Sequence, residues 1–235
     1  MLVDTRFRSD RTELMDDLQM TGDLLGDTLD KLAIINRQLG GDRVTTSGVE
    51  ALLKDIPLSR EITFIDLGCG DGSMLRLLAD IGRKAGRSFK FIGLDANAYT
   101  VAHARSCSKA YPEVSFQQMD VFSSQMHGLS YDIALATLFM HHFKNEQIEE
   151  MLRTIASNAR IGIVINDLKR SKVAYYLFGI YASFLRNHMI KHDGEISILR
   201  AFKRVDLERI STKLGLKSEI RFKFAFRYQW IIRTT

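Results

Sequence analysis

Apolar residues along this chain first fall at helical spacing and then, from Ile62, switch to short unbroken runs. Residues 12–56 read as helical. In "DLLGDTLDKLAIINRQLGG" the positions Leu24, Leu25, Leu29, Leu32, Ile35 and Leu39 lie near a 3.6-residue period, with Gly40 and Gly41 as a stop. "TTSGVEALLKDI" predicts a second, shorter helix. From there strands and helices alternate. "ITFIDLG", "FKFIGLDA", "VSFQQMD", "YDIALATLF" and "IGIVINDL" are strand-like, and "SMLRLLADIGRKAG", "AYTVAHARSCSKA" and "NEQIEEMLRTIASNA" are helix-like. Strands separated by helices of ten or more residues imply parallel βαβ units in one sheet covered on both faces. After the fifth strand, "SKVAYYLFGIYASFLRNHM" and "RVDLERISTKLG" predict helices. "KSEIRFKFAFRYQWIIR" alternates at period two around a bend at "AFR", which predicts a terminal antiparallel pair. The expected architecture is a doubly wound α/β domain over residues 61–235, with a helical segment over 1–60 and a helical lid over about 170–205.

Composition narrows this little. The chain has 235 residues, 46% apolar and 26% charged, the balance of a globular protein with a real core. Two cysteines, Cys69 and Cys107, form no disulfide framework and point to a reducing, cytoplasmic setting. The N-terminus has no apolar run of the secretory kind. No stretch reaches the roughly 18–20 apolar residues that cross a bilayer. The formal charge is +5. From Phe184 onward there are 12 Lys/Arg against 5 Asp/Glu, a net +7. Such a basic region suits anionic partners, or simply the solvated faces of a helix and a hairpin.

The candidate chemistry begins at "FIDLGCGDGSMLRLL", where Gly68, Gly70 and Gly72 turn a strand into a helix. Glycines there let a ligand approach the backbone, and the helix N-terminus offers free N–H groups. Asp95 ends the second strand, 23 residues after Gly72, and Asp120 ends the third. Either acid alone could cap a helix. Together with the glycines they define a crevice at the carboxyl ends of the strands, with Asp95 suited to ribose hydroxyls and Asp120 to an adenine amino group. The loop spacing is G-x-G-x-G, whereas a dinucleotide fingerprint is G-x-G-x-x-G. A nicotinamide-dependent oxidoreductase is therefore the weaker reading.

Over Ile62 to Leu168 the chain resembles the class I S-adenosylmethionine-dependent methyltransferases, through "IDLGCGDG", "IGLDA", "MDVF" and "YDIALATLFMHH" in that family's order and spacing. The resemblance implies a seven-stranded sheet in the order 3-2-1-4-5-7-6 with strand 7 antiparallel. It implies that Gly68, Cys69, Gly70 and Gly72 pass under the methionine part of the cofactor and that Asp66 braces the loop. Asp95 would hold the ribose, Asp120 and Val121 the adenine, and Ala96 would lie against the ring. Thr137 and Leu138 would supply backbone contacts. S-adenosylhomocysteine would be the product.

The acceptor is less sharply marked. The Asn/Asp-Pro-Pro-aromatic motif of amine methylases on nucleic acid is missing, as is a Pro-Cys nucleophile, so nucleic acid is disfavoured. "VAYYLFGIYASFL" is apolar almost all round, with Lys169, Arg170 and Lys172 before it and Arg186 after. It predicts buried packing, a lid over a greasy acceptor that brings Tyr175, Tyr176 and Phe178 to the pocket, or a helix that dips into a membrane surface. His192-Asp193-Gly194 reads as a turn; His192 and Arg200 are candidates to reach the crevice. "NDLKRS", "HDGEISILRAF" and "INRQLGG" resemble a bacterial subgroup near polyketide and quinone-like pathways. That favours a small lipophilic or aromatic hydroxyl acceptor, with carbon methylation second and a SAM-binding subunit without turnover as a further alternative. Monomer and homodimer are both compatible. His141 and His142, in "ATLFMHHFKN", follow strand four. No nearby acid or thiol in the sequence completes a metal-ligand set. One of them is expected to act as a general base or to position the acceptor, unless both serve only the loop backbone.

Overall fold

The computed structural model describes residues 3–185 and 187–234; Arg186, flanking the apolar helix in the sequence, lies outside them. A single sheet of seven strands runs β3-β2-β1-β4-β5-β7-β6. The strands are β1 (Ile62–Leu67), β2 (Phe89–Asp95), β3 (Val114–Gln118), β4 (Tyr131–Thr137), β5 (Ala159–Leu168), β6 (Lys217–Lys223) and β7 (Arg227–Arg233). The first five are parallel, and β7 is antiparallel to both its neighbours. The expected order and the antiparallel strand are both present.

Central strands are apolar without alternation because both faces are covered. On one face Ile65, Leu67, Ala134, Ile163 and Trp230 pack with α5 (Asn145–Asn158) and α8 (Arg204–Leu214). On the other, Phe64, Ile133, Leu135 and Val164 pack with α2 (Gly41–Leu53), α3 (Ser73–Lys84) and α4 (Ala98–Cys107). Burying each such large side chain contributes about 1.5–3 kcal/mol. Strand order reverses between β1 and β4, so their carboxyl ends open a crevice between diverging loops.

Above that crevice lie α1 (Asp23–Gln38), α6 (Lys172–Ser183) and α7 (His188–Arg200), tied together where Leu25 and Leu29 of α1 meet Met189 of α7. Two sequence expectations fail here. Residues 12–22 are not helical beyond a short turn at Leu14–Asp16. Their N–H groups are taken by side chains instead: Leu14 and Met15 donate to the Asp193 carboxylate at 2.8 and 3.0 Å, and Glu13 donates to Asp16 at 3.0 Å. The expected turn at His192-Asp193-Gly194 lies inside α7. Gly194 serves close packing there, since a Cβ would come within 2.2 Å of the Phe178 ring on α6. Gly40 and Gly41 do end α1, but Gly41 also begins α2.

The segment before α1 forms a strap across the crevice. The Arg170 guanidinium donates to the Thr5 carbonyl at 3.1 Å. Arg8 donates to the carbonyls of Arg200 and His141 and to Asn145 Oδ1.

Candidate active site

One cavity of about 1620 Å³ occupies the crevice. A single small ligand fills roughly 300–1,000 Å³, so there is room for two molecules side by side. Asp66, Gly68, Cys69, Gly70, Asp95, Ala96, Asp120, Val121, Thr137, Leu138, His141, His142, Phe178 and Arg200 all line it. Gly72, Tyr175, Tyr176 and His192 do not.

The loop after β1 carries three positive backbone angles, at Gly68 (φ 63), Gly70 (φ 54) and Gly72 (φ 76). Their surroundings differ. A Cβ on Gly70 would meet nothing nearer than Leu29 at 3.9 Å, so its Cα faces open space. A Cβ on Gly72 would strike the Phe116 ring at 2.5 Å, so that glycine serves strand–helix packing at the start of α3. On Gly68 it would strike Phe139 at 2.2 Å.

Carboxylates crowd this end of the cavity. Asp66 is 2% exposed and its Oδ1 has no partner. Burial, reinforced by the charges of Asp95 and Asp71, pushes its carboxyl up to about 8. Burial also raises Asp95, although its two oxygens accept from the N–H groups of Asn97 (3.0 Å) and Gly70 (3.3 Å). Asp120 lies two residues beyond β3 and accepts from the Phe122 N–H at 2.9 Å. Burial lifts the Cys69 thiol far above its ordinary value, which removes it as a nucleophile.

Beyond β4, Leu138 adopts φ 55, a left-handed angle that costs a non-glycine residue of order 1–3 kcal/mol. Its N–H is fixed by the Asn166 carbonyl at 2.8 Å. The Thr137 hydroxyl is engaged with that of Thr45 at 3.1 Å.

The two histidines stand in a network the sequence did not reveal. His141 is 2% exposed; its Nδ1 lies 2.7 Å from Asp167 Oδ1 and its Nε2 3.6 Å from Glu13 Oε1. His142 is less enclosed. Its Nδ1 lies 2.6 Å from Asp16 Oδ1, which leaves Nε2 for an acceptor. Burial raises the Asp16 carboxyl, but hydrogen bonds from His142 and Arg200 outweigh it and hold the group below the usual carboxylate range. Asp167 is likewise held down, by His141 against its burial. Glu13 goes the other way: burial pushes it up to about 7, with one oxygen bonded to Ser197 (2.7 Å) and Oε1 making no hydrogen bond.

Acids therefore do stand beside the histidines, contrary to the sequence expectation. Glu13, His141 and His142 bring one ligand atom each within 4.8 Å of one another. The Arg200 guanidinium already holds the cationic place in this cluster, 3.7 Å from Glu13 Oε1 and bonded to Asp16. Glu13 and Asp16 carry no local sequence signal, because they arrive from the strap, over 120 residues away along the chain. Asp167 was findable: an acid near the end of β5, at the sheet edge that Asp95 marks on β2.

Phe178 and Arg200 line the cavity. Tyr175 instead donates its hydroxyl to Glu195 at 3.1 Å, the Tyr176 hydroxyl accepts from the Val3 N–H, and His192 pairs with Asp193 at 2.8 Å. Phe122, Phe139, Phe143 and Tyr181 complete an aromatic wall.

Residues 64–162 match the family described as the methyltransferase domain. A 68-residue stretch is 38% identical to the 2-phytyl-1,4-naphtoquinone methyltransferase of Thermosynechococcus vestitus; that match spans 29% of this chain and 29% of the relative. Among solved structures, the plantazolicin methyltransferase BpumL in complex with SAH is similar over 89% of this chain and 88% of its own, with TM-score 0.65 at 17% identity. The magnesium protoporphyrin IX methyltransferase of Synechocystis PCC 6803 is similar over 83% and 84%, with TM-score 0.55 and 17% identity.

Proposed function

We propose that this chain, whose residues 64–162 match a methyltransferase domain, transfers a methyl group from S-adenosylmethionine to a hydroxyl oxygen of a small lipophilic or aromatic molecule. The observation that carries this reading is the single cavity into which both the glycine loop and the histidine–carboxylate network open.

The residues fit the cofactor. Gly70 offers an open cradle, and the buried, unpartnered Asp66 oxygen lacks a donor that an ammonium group would supply. Burial and the charges of Asp95 and Asp71 disfavour ionisation of Asp66, and a cationic ligand offsets that cost. Asp95 is suited to ribose hydroxyls, and Asp120, Val121 and Ala96 to the adenine. When bound, S-adenosylmethionine supplies an activated methyl group on a sulfonium.

The protein's own task is then to hold the acceptor in line, exclude water and take up a proton. The aromatic wall binds an apolar ring or chain. His142, oriented by Asp16 through Nδ1, is the base at Nε2 for an acceptor hydroxyl, which as a phenol has a pKa near 10. Arg200 fixes the carbonyls of both histidines and so the loop that carries them. Buried His141, paired with Asp167, is a positioning residue. The quinone methyltransferase among the relatives supports a lipophilic acceptor. The same base would serve a carbon acid, so transfer to carbon is the second reading. Incubation with labelled S-adenosylmethionine and a panel of phenols, quinols and fatty-acid derivatives tests the proposal. Labelled O-methyl product is expected; a C-methyl product would select the second reading. No product from any class would leave a cofactor-binding protein without turnover.

A further inference from the structure

Helix α6 is the lid over the cavity, yet most of its apolar surface faces outward. Val173, Tyr176, Leu177, Ile180 and Phe184 fall at i, i+3, i+4, i+7 and i+11, one stripe of a helix. Their exposures are 58, 42, 54, 62 and 81%. Only Ala174 and Ala182 of this helix are buried. A helix that merely fills a core does not leave its large side chains in water, because each forgoes the gain from burial. The inner face is apolar as well: Ala174, Phe178 and Tyr181 line the cavity, and Leu177, at the edge of the stripe, lines its mouth. The helix thus separates an apolar cavity from an apolar exterior.

Other exposed aromatics stand at the same mouth. Phe7 of the strap and Phe224 of the β6–β7 hairpin, each 80% exposed, also line the cavity. The segment that carries α6 has charge of one sign, although Asp4 of the strap lies near Lys172 and Glu195 of α7 bonds Tyr175 on its inner side. From Leu168 to His192 there is no Asp or Glu. Lys172 is exposed at the start of α6, and Lys191 reaches its end through a 3.2 Å bond to Ser183. Lys169 lies 4.6 Å over the Phe222 ring at the hairpin.

We propose that the outer face of α6 docks on an anionic phospholipid surface, with the stripe in the acyl boundary and the lysines against the headgroups. At 12 residues α6 lies in the interface and does not cross it. Docking sets the cavity mouth against the bilayer, so an apolar acceptor passes in without crossing water. This last step rests on the proposed methyl transfer; docking itself does not.

The test is sedimentation of the full chain with vesicles of phosphatidylglycerol and, separately, of phosphatidylcholine. Binding to the first is expected, weakening with salt and much weaker on the second. Ile180→Glu and Phe184→Glu, whose side chains do not line the cavity, should each reduce binding roughly tenfold or more. Lys172→Glu should reduce it roughly fivefold on phosphatidylglycerol only. S-adenosylmethionine affinity should stay unchanged in all three variants, which shows that they fold. The proposal is overturned if the native chain ignores phosphatidylglycerol vesicles, if Ile180→Glu and Phe184→Glu leave binding intact, or if the stripe proves to be buried in a dimer that these variants dissociate. Turnover of a soluble acceptor without vesicle binding would sink docking and leave the methyl transfer standing; vesicle binding without turnover would do the reverse.

Discussion

His141 and His142 are neighbours on the chain with ring centroids 4.3 Å apart, yet their surroundings assign them separate tasks. His141→Ala would leave the buried Asp167 without the partner that keeps it ionised, at a cost of about 3 kcal/mol in chemical denaturation. His142→Ala should leave stability near native and lower turnover by roughly 10²-fold or more at unchanged cofactor affinity, the usual contribution of a general base. Equal effects of the two on both readouts would refute the division. Asp66 provides a second residue-level test. Its carboxyl, pushed up to about 8, holds a proton in the free protein at neutral pH. A cation bound beside it lowers that pKa and expels the proton. Affinity for S-adenosylmethionine should therefore climb as pH rises toward 8, by up to about tenfold per unit, and level off above it. Asp66→Asn should lose the part of this slope that its own proton supplies, as calorimetry across pH will show; an identical slope would remove Asp66 from the site.

At the scale of elements, the strap over residues 3–20 is held by tertiary bonds in place of a helical ladder. Asp193→Asn keeps one carbonyl acceptor and turns the other oxygen into an N–H donor, so one of the bonds from Leu14 and Met15 is lost and the other loses its charge, at a cost of about 1 kcal/mol or more. Limited proteolysis should then cut the strap roughly fivefold faster while the sheet stays protected; unchanged cleavage would mean that other contacts hold it. These same bonds explain where the sequence misleads. Helical spacing over 12–22 is overridden because Asp193, far along the chain, competes for the N–H groups. The Asp-Gly signal at Asp193 is overridden because Gly194 is required for α6 to approach α7. Periodicity reports local preference, and both failures come from contacts between distant segments. β1 to β5 were legible because parallel strands buried on both faces need continuous apolar runs, and the loop after β1 because its glycines answer a backbone requirement. The same limit applies to side chains: Gly72 looks identical to Gly70 in the sequence, but it faces Phe116. Tyr175 and Tyr176 lie on α6, yet their hydroxyls turn to Glu195 and the strap.

In the whole molecule, three parts converge on the reversal point of the sheet: the glycine loop with its acids, the histidine pair with its carboxylates, and the apolar helix α6. None is near the others in sequence, and the cavity exists only because the strap, α1, α6 and α7 close over the strand ends. Everything proposed for chemistry depends on the cofactor lying on the loop after β1. The direct measurement is calorimetric titration of S-adenosylmethionine into the native chain and into Gly70→Val. The native chain should bind with one site per molecule. Gly70→Val should show no measurable binding, because the added side chain occupies the open space over that Cα in a backbone conformation a valine resists. Native-like affinity in Gly70→Val, in a chain whose circular dichroism and melting are unaltered, would contradict the assignment of the cavity.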